Sequence, residues 1–371
     1  MKFNMQYWKF PVAFVFSLFL LPGVAQAQHY NQTDLVSDIM GRAPVFDPNL
    51  KNPWGLTRSS GSPWWIGNNN SGTSTLYDGK GNIVPLVVTV PPPKGSPAGT
   101  QSAPTGVVFN GSPTDFLLAP GKQAIFIFAT EDGTVSGWNP GIDAHNAVLK
   151  VDNSDNGSAN GAVYKGATSA DLNGNRFLYV TNFRSAKVEV YDTNFKRVLL
   201  DEDAFEAEGV PRGFAPFNIQ NIGGSLFVTY AKQNADRHDD VAGDGLGYVN
   251  IYSPSGKLEK RLQHGPWMNA PWGAVWTPRD FGEFSNRILI GNFGSGWIAA
   301  FNGFTGKFIG FMKNPHDSLV TIDGLWSLTF GNGAGAGPST TLYFTAGING
   351  EKDGLFGTLT PIAAEQDGDE E

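Results

Sequence analysis

The sequence predicts an all-β protein, a six-bladed β-propeller. Three observations predict it: a repeat with a period near fifty residues, four β-rich runs in each repeat, and a composition of 47 glycines, 24 prolines and 13% aromatics with only 16% charged residues. Glycine supplies positive φ and proline presets negative φ in tight turns, so this mixture suits many short strands and suits helices badly. Cysteine is absent, which excludes disulfides, thiolate metal sites and cysteine nucleophiles and leaves packing to hold the fold.

In chain order the first element is a leader. Lys2 and Lys9 flank the start of an apolar stretch from Phe10 to Leu21, followed by Pro22-Gly23 and the small-residue pattern Ala25-Gln26-Ala27. This is the layout of a signal peptide cleaved after Ala27, and the stretch is too short and interrupted to span a bilayer comfortably. The expectation is export to the periplasm or the extracellular space, with residues 1–27 as leader, 28–362 as the propeller domain and 363–371 as an acidic, disordered tail. Cleavage leaves 344 residues and removes two lysines and no acid, so the formal charge moves from −8 to −10. A chain this acidic, without clustered Lys and Arg, disfavours nucleic acid as a partner. No later apolar run is long enough to predict a membrane span.

The repeat is carried by three anchors. The first opens a strand: Pro53-Trp54-Gly55-Leu56, Pro104-Thr105-Gly106-Val107, Lys165-Gly166-Ala167, Pro216-Phe217-Asn218-Ile219, Pro271-Trp272-Gly273-Ala274 and Leu325-Trp326-Ser327-Leu328. Counted at residues 54, 105, 165, 217, 272 and 326, the intervals are 51, 60, 52, 55 and 54. The second closes a β-rich run, as in Trp65-Ile66-Gly67-Asn68, Tyr179-Val180-Thr181-Asn182 and Ile290-Gly291-Asn292. The third ends a strand on an aromatic and a turn, as in Tyr77-Asp78-Gly79, Trp138-Asn139-Pro140 and Tyr252-Ser253-Pro254. Short runs such as Ile83 to Val90 and Phe308 to Met312 then supply a fourth strand.

Six four-stranded units of this kind stack radially, because one blade alone leaves both faces of its sheet bare. The sixth unit runs out of chain after Gly357-Thr358-Leu359-Thr360, and His29 to Val36 precedes the first anchor without belonging to another unit. The N-terminal segment is therefore expected to pair with the last blade and close the ring, hiding two sheet edges.

At these anchors, and at Asn269-Ala270-Pro271-Trp272-Gly273, Ile290-Gly291-Asn292-Phe293-Gly294, Asp323-Gly324-Leu325-Trp326 and Leu342-Tyr343-Phe344-Thr345-Ala346-Gly347, the chain resembles a family of uncharacterised secreted β-propeller proteins. That family is distantly similar to NHL-repeat and gluconolactonase-type propellers, and its members often carry a PEP-CTERM sorting tail. This sequence ends instead in acidic residues without a Pro-Glu-Pro motif, so surface sorting by that route is not expected. The resemblance implies either a binding scaffold, as is common for NHL-type propellers, or a metal-dependent hydrolase or lyase of the gluconolactonase-like kind.

In antiparallel blades, the loops between second and third strands and those joining successive blades emerge on one face. On that face fall His238, His264 and His316 together with Asp236, Asp239, Asp240, Asp323 and Glu351. Carboxylates and imidazoles at a channel mouth can bind a hard cation such as calcium or move protons. These eight residues are the candidate ligand- or metal-binding set; no catalytic residue and no organic cofactor is assigned, and the expected partner is a small molecule or a protein. Gly331 to Gly337 is glycine-rich but lies between strands, and neither a Gly-x-Ser-x-Gly elbow nor a His-Glu-x-x-His motif occurs, so serine-hydrolase and zinc-protease chemistry lack support. The leading expectation is a non-catalytic binding scaffold, with the metal-dependent hydrolase as the rival. Asn68, Asn182 and Asn292 recur at equivalent positions and are read as turn residues rather than ligands.

Overall fold

The computed structural model describes residues 29–362, and the leader and the acidic tail lie outside them. Six sheets form a ring, the arrangement of a six-bladed β-propeller. Blade one is Pro53–Thr57, Trp64–Asn68, Thr73–Tyr77 and Ile83–Thr89. Blades two to five open with Pro104–Phe109, Tyr164–Leu172, Phe214–Ile222 and Pro271–Trp276, and blade six with Leu325–Phe330. In each blade the chain runs outward from the central channel to the rim through antiparallel neighbours.

The N-terminal strand Tyr30–Ser37 pairs antiparallel with Leu355–Pro361, from Tyr30 opposite Pro361 to Ser37 opposite Leu355, with one bulge. Blade six thus takes its outer strand from the other end of the chain, as the sequence leads one to expect. Tyr30 locks the closure: it is fully buried, its hydroxyl donates to the Phe281 carbonyl at 2.8 Å, and its ring stacks on Phe284.

The first anchor has a structural cause. In every blade the pairing of the first strand with the second slips just after the anchor's opening residue, between Pro53 and Leu56, Tyr164 and Gly166, Pro216 and Asn218, Pro271 and Gly273, and Leu325 and Leu328, with the equivalent slip in blade two. A bulge leaves a residue outside the ladder and re-aims its side chain. The residues so released are Trp54, Thr105, Lys165, Phe217, Trp272 and Trp326. The glycine that often follows allows the first strands to crowd: a Cβ on Gly55 would sit 2.3 Å from the Thr105 carbonyl oxygen, and one on Gly106 2.4 Å from the Ala167 nitrogen.

The released aromatics meet at the axis. Trp54 stacks on Trp326 at 3.5 Å between ring centroids, and both reach Phe217 and Trp272 across the ring. Phe183 and Phe293 complete this plug. The expected turn residues behave as such: Asn182 donates to Glu189 at 2.9 Å, Asn292 to the Trp297 carbonyl at 3.1 Å, and Asn68 to Thr75 at 2.9 Å.

Candidate functional site

Lys165 is the charged residue among those released. It carries an ammonium where four other blades carry an aromatic ring, and its side chain is only 2% exposed. Its Nζ pairs with Glu131 and lies 3.2 Å from Asp239 Oδ1. The rings of Trp54 and Phe183 lie 5.2 and 5.8 Å from the same nitrogen, within reach of the attraction between a cation and a π face. Burial alone would favour the neutral amine, but the Glu131 and Asp239 carboxylates outweigh it and hold the lysine above its ordinary value.

The acids around it come from the second-to-third-strand loops of blades two, four and six. Glu131 directly follows strand Phe126–Thr130, where its backbone N–H donates to the Ala103 carbonyl and its carboxylate accepts from Asn69 at 2.7 Å. In blade four, Asn234 organises an extra turn: its side chain accepts the His238 N–H, and Asp240–Val241 pairs back on Lys232 and Gln233. That turn presents His238 and Asp239 towards Lys165, with His238 Nδ1 2.8 Å from Asp239 Oδ1. In blade six, Asn349, Gly350 and Glu351 all have positive φ, at 58°, 64° and 67°. Left-handed backbone at a residue with a Cβ costs about 1 kcal/mol or more, and here it turns Glu351 inward to accept from Asn52 at 2.9 Å. Asn52 in turn accepts the indole N–H of Trp326 at 3.0 Å, tying the acid to the aromatic plug.

The charges respond to this crowding. The hydrogen bond from His238, helped by the Lys165 ammonium, holds Asp239 well below the usual carboxylate range. Burial pushes the Asp240 carboxyl up to about 7, against the pull of Lys165 and with repulsion from Glu351 adding to the rise. Burial raises Glu351 as well, and Glu131 and Asp239 repel it further. Four carboxylates therefore face one ammonium.

Beside this mouth lies a cleft of about 460 Å³ lined by Glu131, Asp132, Ser154, Ser158, Arg184 and His238 among others. Arg184 donates to the Gly161 carbonyl at 2.8 Å, while its buried Nε has no partner among the described residues. One ligand atom each from Glu131, His238 and Asp239 lie within 4.8 Å of one another, a spacing that could hold a metal ion.

Of the residues singled out in the sequence, His238, Asp239, Asp240 and Glu351 gather around Lys165. Asp236 is exposed in the Asn234 turn. Asp323 accepts the Asn349 N–H at 2.8 Å and so braces the loop that carries Glu351. His264 stacks on Tyr248 at 4.3 Å and bonds the Gly245 carbonyl, and His316 is exposed in the Asn314 turn. Glu131 and Lys165 were not among the candidates. The available signal was a lysine in the anchor position that most repeats fill with an aromatic ring.

No family model matches the chain. It is 31% identical over 338 residues to Uncharacterized protein R648 of Acanthamoeba polyphaga mimivirus, which covers 88% of this chain and 78% of that one. Among solved structures, a protein of unknown function from Bacteroides thetaiotaomicron aligns with a TM-score of 0.52 at 11% identity, over 90% of this chain and 73% of its own. A streptogramin B lyase aligns with a TM-score of 0.50 at 12% identity, over 90% of this chain and 98% of its own. At such identities the likeness shows the fold alone.

Proposed function

We propose, from the premise that the chain belongs to the family of the mimivirus protein R648, that it is a binding protein whose site is the Lys165-centred channel mouth and the adjoining cleft. The observation that carries this reading is Lys165 itself, buried in the axial plug and clamped by Glu131 and Asp239. Desolvating such a pair is expensive, and an apolar side chain of similar size commonly serves stability as well or better. A rigid ring that keeps the ion pair at its axis is suited to holding fixed charges for a ligand.

The cleft sets acceptors, Glu131 and Asp132, beside donors, Arg184, His238, Ser154 and Ser158. Its fit is to a small hydrophilic molecule, polyhydroxylated or zwitterionic, that both donates and accepts hydrogen bonds. Calorimetry against sugars, sugar acids and amino acids tests this. Saturable binding that is lost in Lys165→Met with Glu131→Gln supports the proposal, and no binding across the panel overturns it.

A second reading follows from the spacing of Glu131, His238 and Asp239: a divalent cation such as calcium, serving a metal-dependent hydrolase or lyase. Against it stands the Lys165 ammonium, which already neutralises two of the three ligands. Calcium binding lost in Asp239→Ala with Asp240→Ala, together with calcium-dependent turnover of lactones or esters, would favour this reading over the first.

Export belongs to the same proposal. The closing strand begins at Tyr30, so cleavage after Ala27 leaves the ring whole. The exported protein is expected to begin at Gln28, and a mass retaining Met1 would contradict it.

A further inference from the structure

The rim of blade three differs from its neighbours. In blade one the outer strand covers the third strand from Thr73 to Tyr77. In blades four and five the cover continues past the paired strands, with Leu262 N–H donating to the Val249 carbonyl at 3.0 Å and Met312 N–H to the Ile298 carbonyl at 2.9 Å. In blade three the outer strand is only Arg197–Val198, which covers Tyr191 and Val190. The outward edge of Lys187, Val188 and Glu189 has no strand against it among the described residues.

The chain leaves this edge by design of the loop that follows. Leu199 is 87% exposed where the strand stops, and Phe205 is then buried against Tyr179 and Tyr252, with centroids at 5.8 and 5.3 Å. The Phe205 N–H donates to the Gly256 carbonyl at 2.8 Å, and its φ of 58° marks a constrained turn. The loop is thus pinned between blades three and four and stands off the edge, leaving a cleft of about 580 Å³. Four acids line it, Asp201, Glu202, Asp203 and Glu206, against Lys187 and Arg197. Arg197 is already committed to Glu189 at 2.6 Å, so among the described residues lining the cleft Lys187 is left to face four acids.

We propose that this cleft takes up a short extended peptide of alternating basic and apolar residues, which completes the outer strand of blade three. An open strand edge supplies backbone donors and acceptors for an added strand. Successive side chains of that strand point to opposite sides, at about 3.3 Å per residue: the apolar set meets Val188, Val198 and Leu200, which cluster with Ala204 and Phe205 of the loop, and the long basic side chains reach the acids that line the cleft. The site lies on the rim and is independent of the channel mouth.

The test is fluorescence anisotropy of a labelled, end-capped hexapeptide of alternating Lys and Val with the full chain at low salt. Saturable binding is expected, weakened about tenfold or more by Glu202→Lys with Asp203→Lys and abolished when alternate peptide nitrogens are N-methylated. Both substituted residues are exposed, so an unchanged thermal melt is expected to accompany the loss. The methylated peptide gives a readout that needs no variant. Absence of saturable binding, equal binding of the methylated peptide, or equal binding of an alternating Glu and Val peptide would each overturn the proposal.

Discussion

Two sectors of the same axial channel are built on one backbone device and filled in opposite ways. Across blades four, five, six and one, the bulged anchor residue is Phe217, Trp272, Trp326 or Trp54, and these rings pack on each other. Across blades two and three it is Thr105 or Lys165, and the space fills with an ion pair to Glu131 and Asp239. Since the ring forms with either filling, the fold demands the bulge and the close approach of the inner strands. It does not demand a charge. The charged sector is the part of the axis that packing leaves unexplained, which is why it carries the functional reading.

The aromatic sector predicts the largest loss. Trp326→Ala removes a stack on both Trp54 and Phe293 and orphans the Asn52 carbonyl oxygen, so destabilisation of about 3–5 kcal/mol is expected in denaturant melts. A loss below about 1 kcal/mol would show that the plug is not a stability centre.

The charged sector should behave differently under single and paired substitution. Lys165→Ala leaves Glu131 and Asp239 without their counter-ion, at an expected cost of about 2–4 kcal/mol. This falls below the figure for a fully enclosed pair because the Asp239 side chain keeps 59% exposure. Lys165→Met with Glu131→Gln removes the ammonium and the more buried of its two carboxylates, leaving the 59%-exposed Asp239 to His238 and solvent, and should lie within about 1 kcal/mol of the parent, or above it. Equal losses in both variants would remove the distinction between the sectors.

The smallest effect concerns pH. The Asp240 carboxyl is raised to about 7 in the folded protein, so between its unfolded value and 7 the folded state holds a proton that the unfolded state has lost. Stability contributed by that group is present at low pH and declines as pH rises through about 7. Asp240→Asn keeps the neutral form, so it should raise the melting temperature by about 1–3 °C at pH 8 and change it little at pH 4.5. Asp239 has the opposite sign, since its lowered value makes its contribution present above the unfolded value and lost as acid reaches the folded one.

The rim offers a parallel lesson on legibility. Val198 to Leu200 is an unbroken apolar run, yet only Arg197–Val198 pairs and Leu199 turns out to solvent. Burial of Phe205 between two blades pulls the chain away, and that long-range contact leaves no periodic trace. The closing strand was legible for the reverse reason: a missing outer strand at one end and an unassigned β-run at the other are both visible along the chain.

By itself the sequence determined the blade count, the closure and the face that bears the acidic loops, because each follows from spacing and turn chemistry, which are local and repeat along the chain. Only the tertiary structure decided which of those acids meet. Glu131 and Lys165 lie 34 residues apart and Lys165 and Asp239 lie 74 apart, so their contact exists only once the ring has closed around the axis. The strength of a charge cluster depends on burial and on separations of a few ångströms, and neither is written in residue spacing.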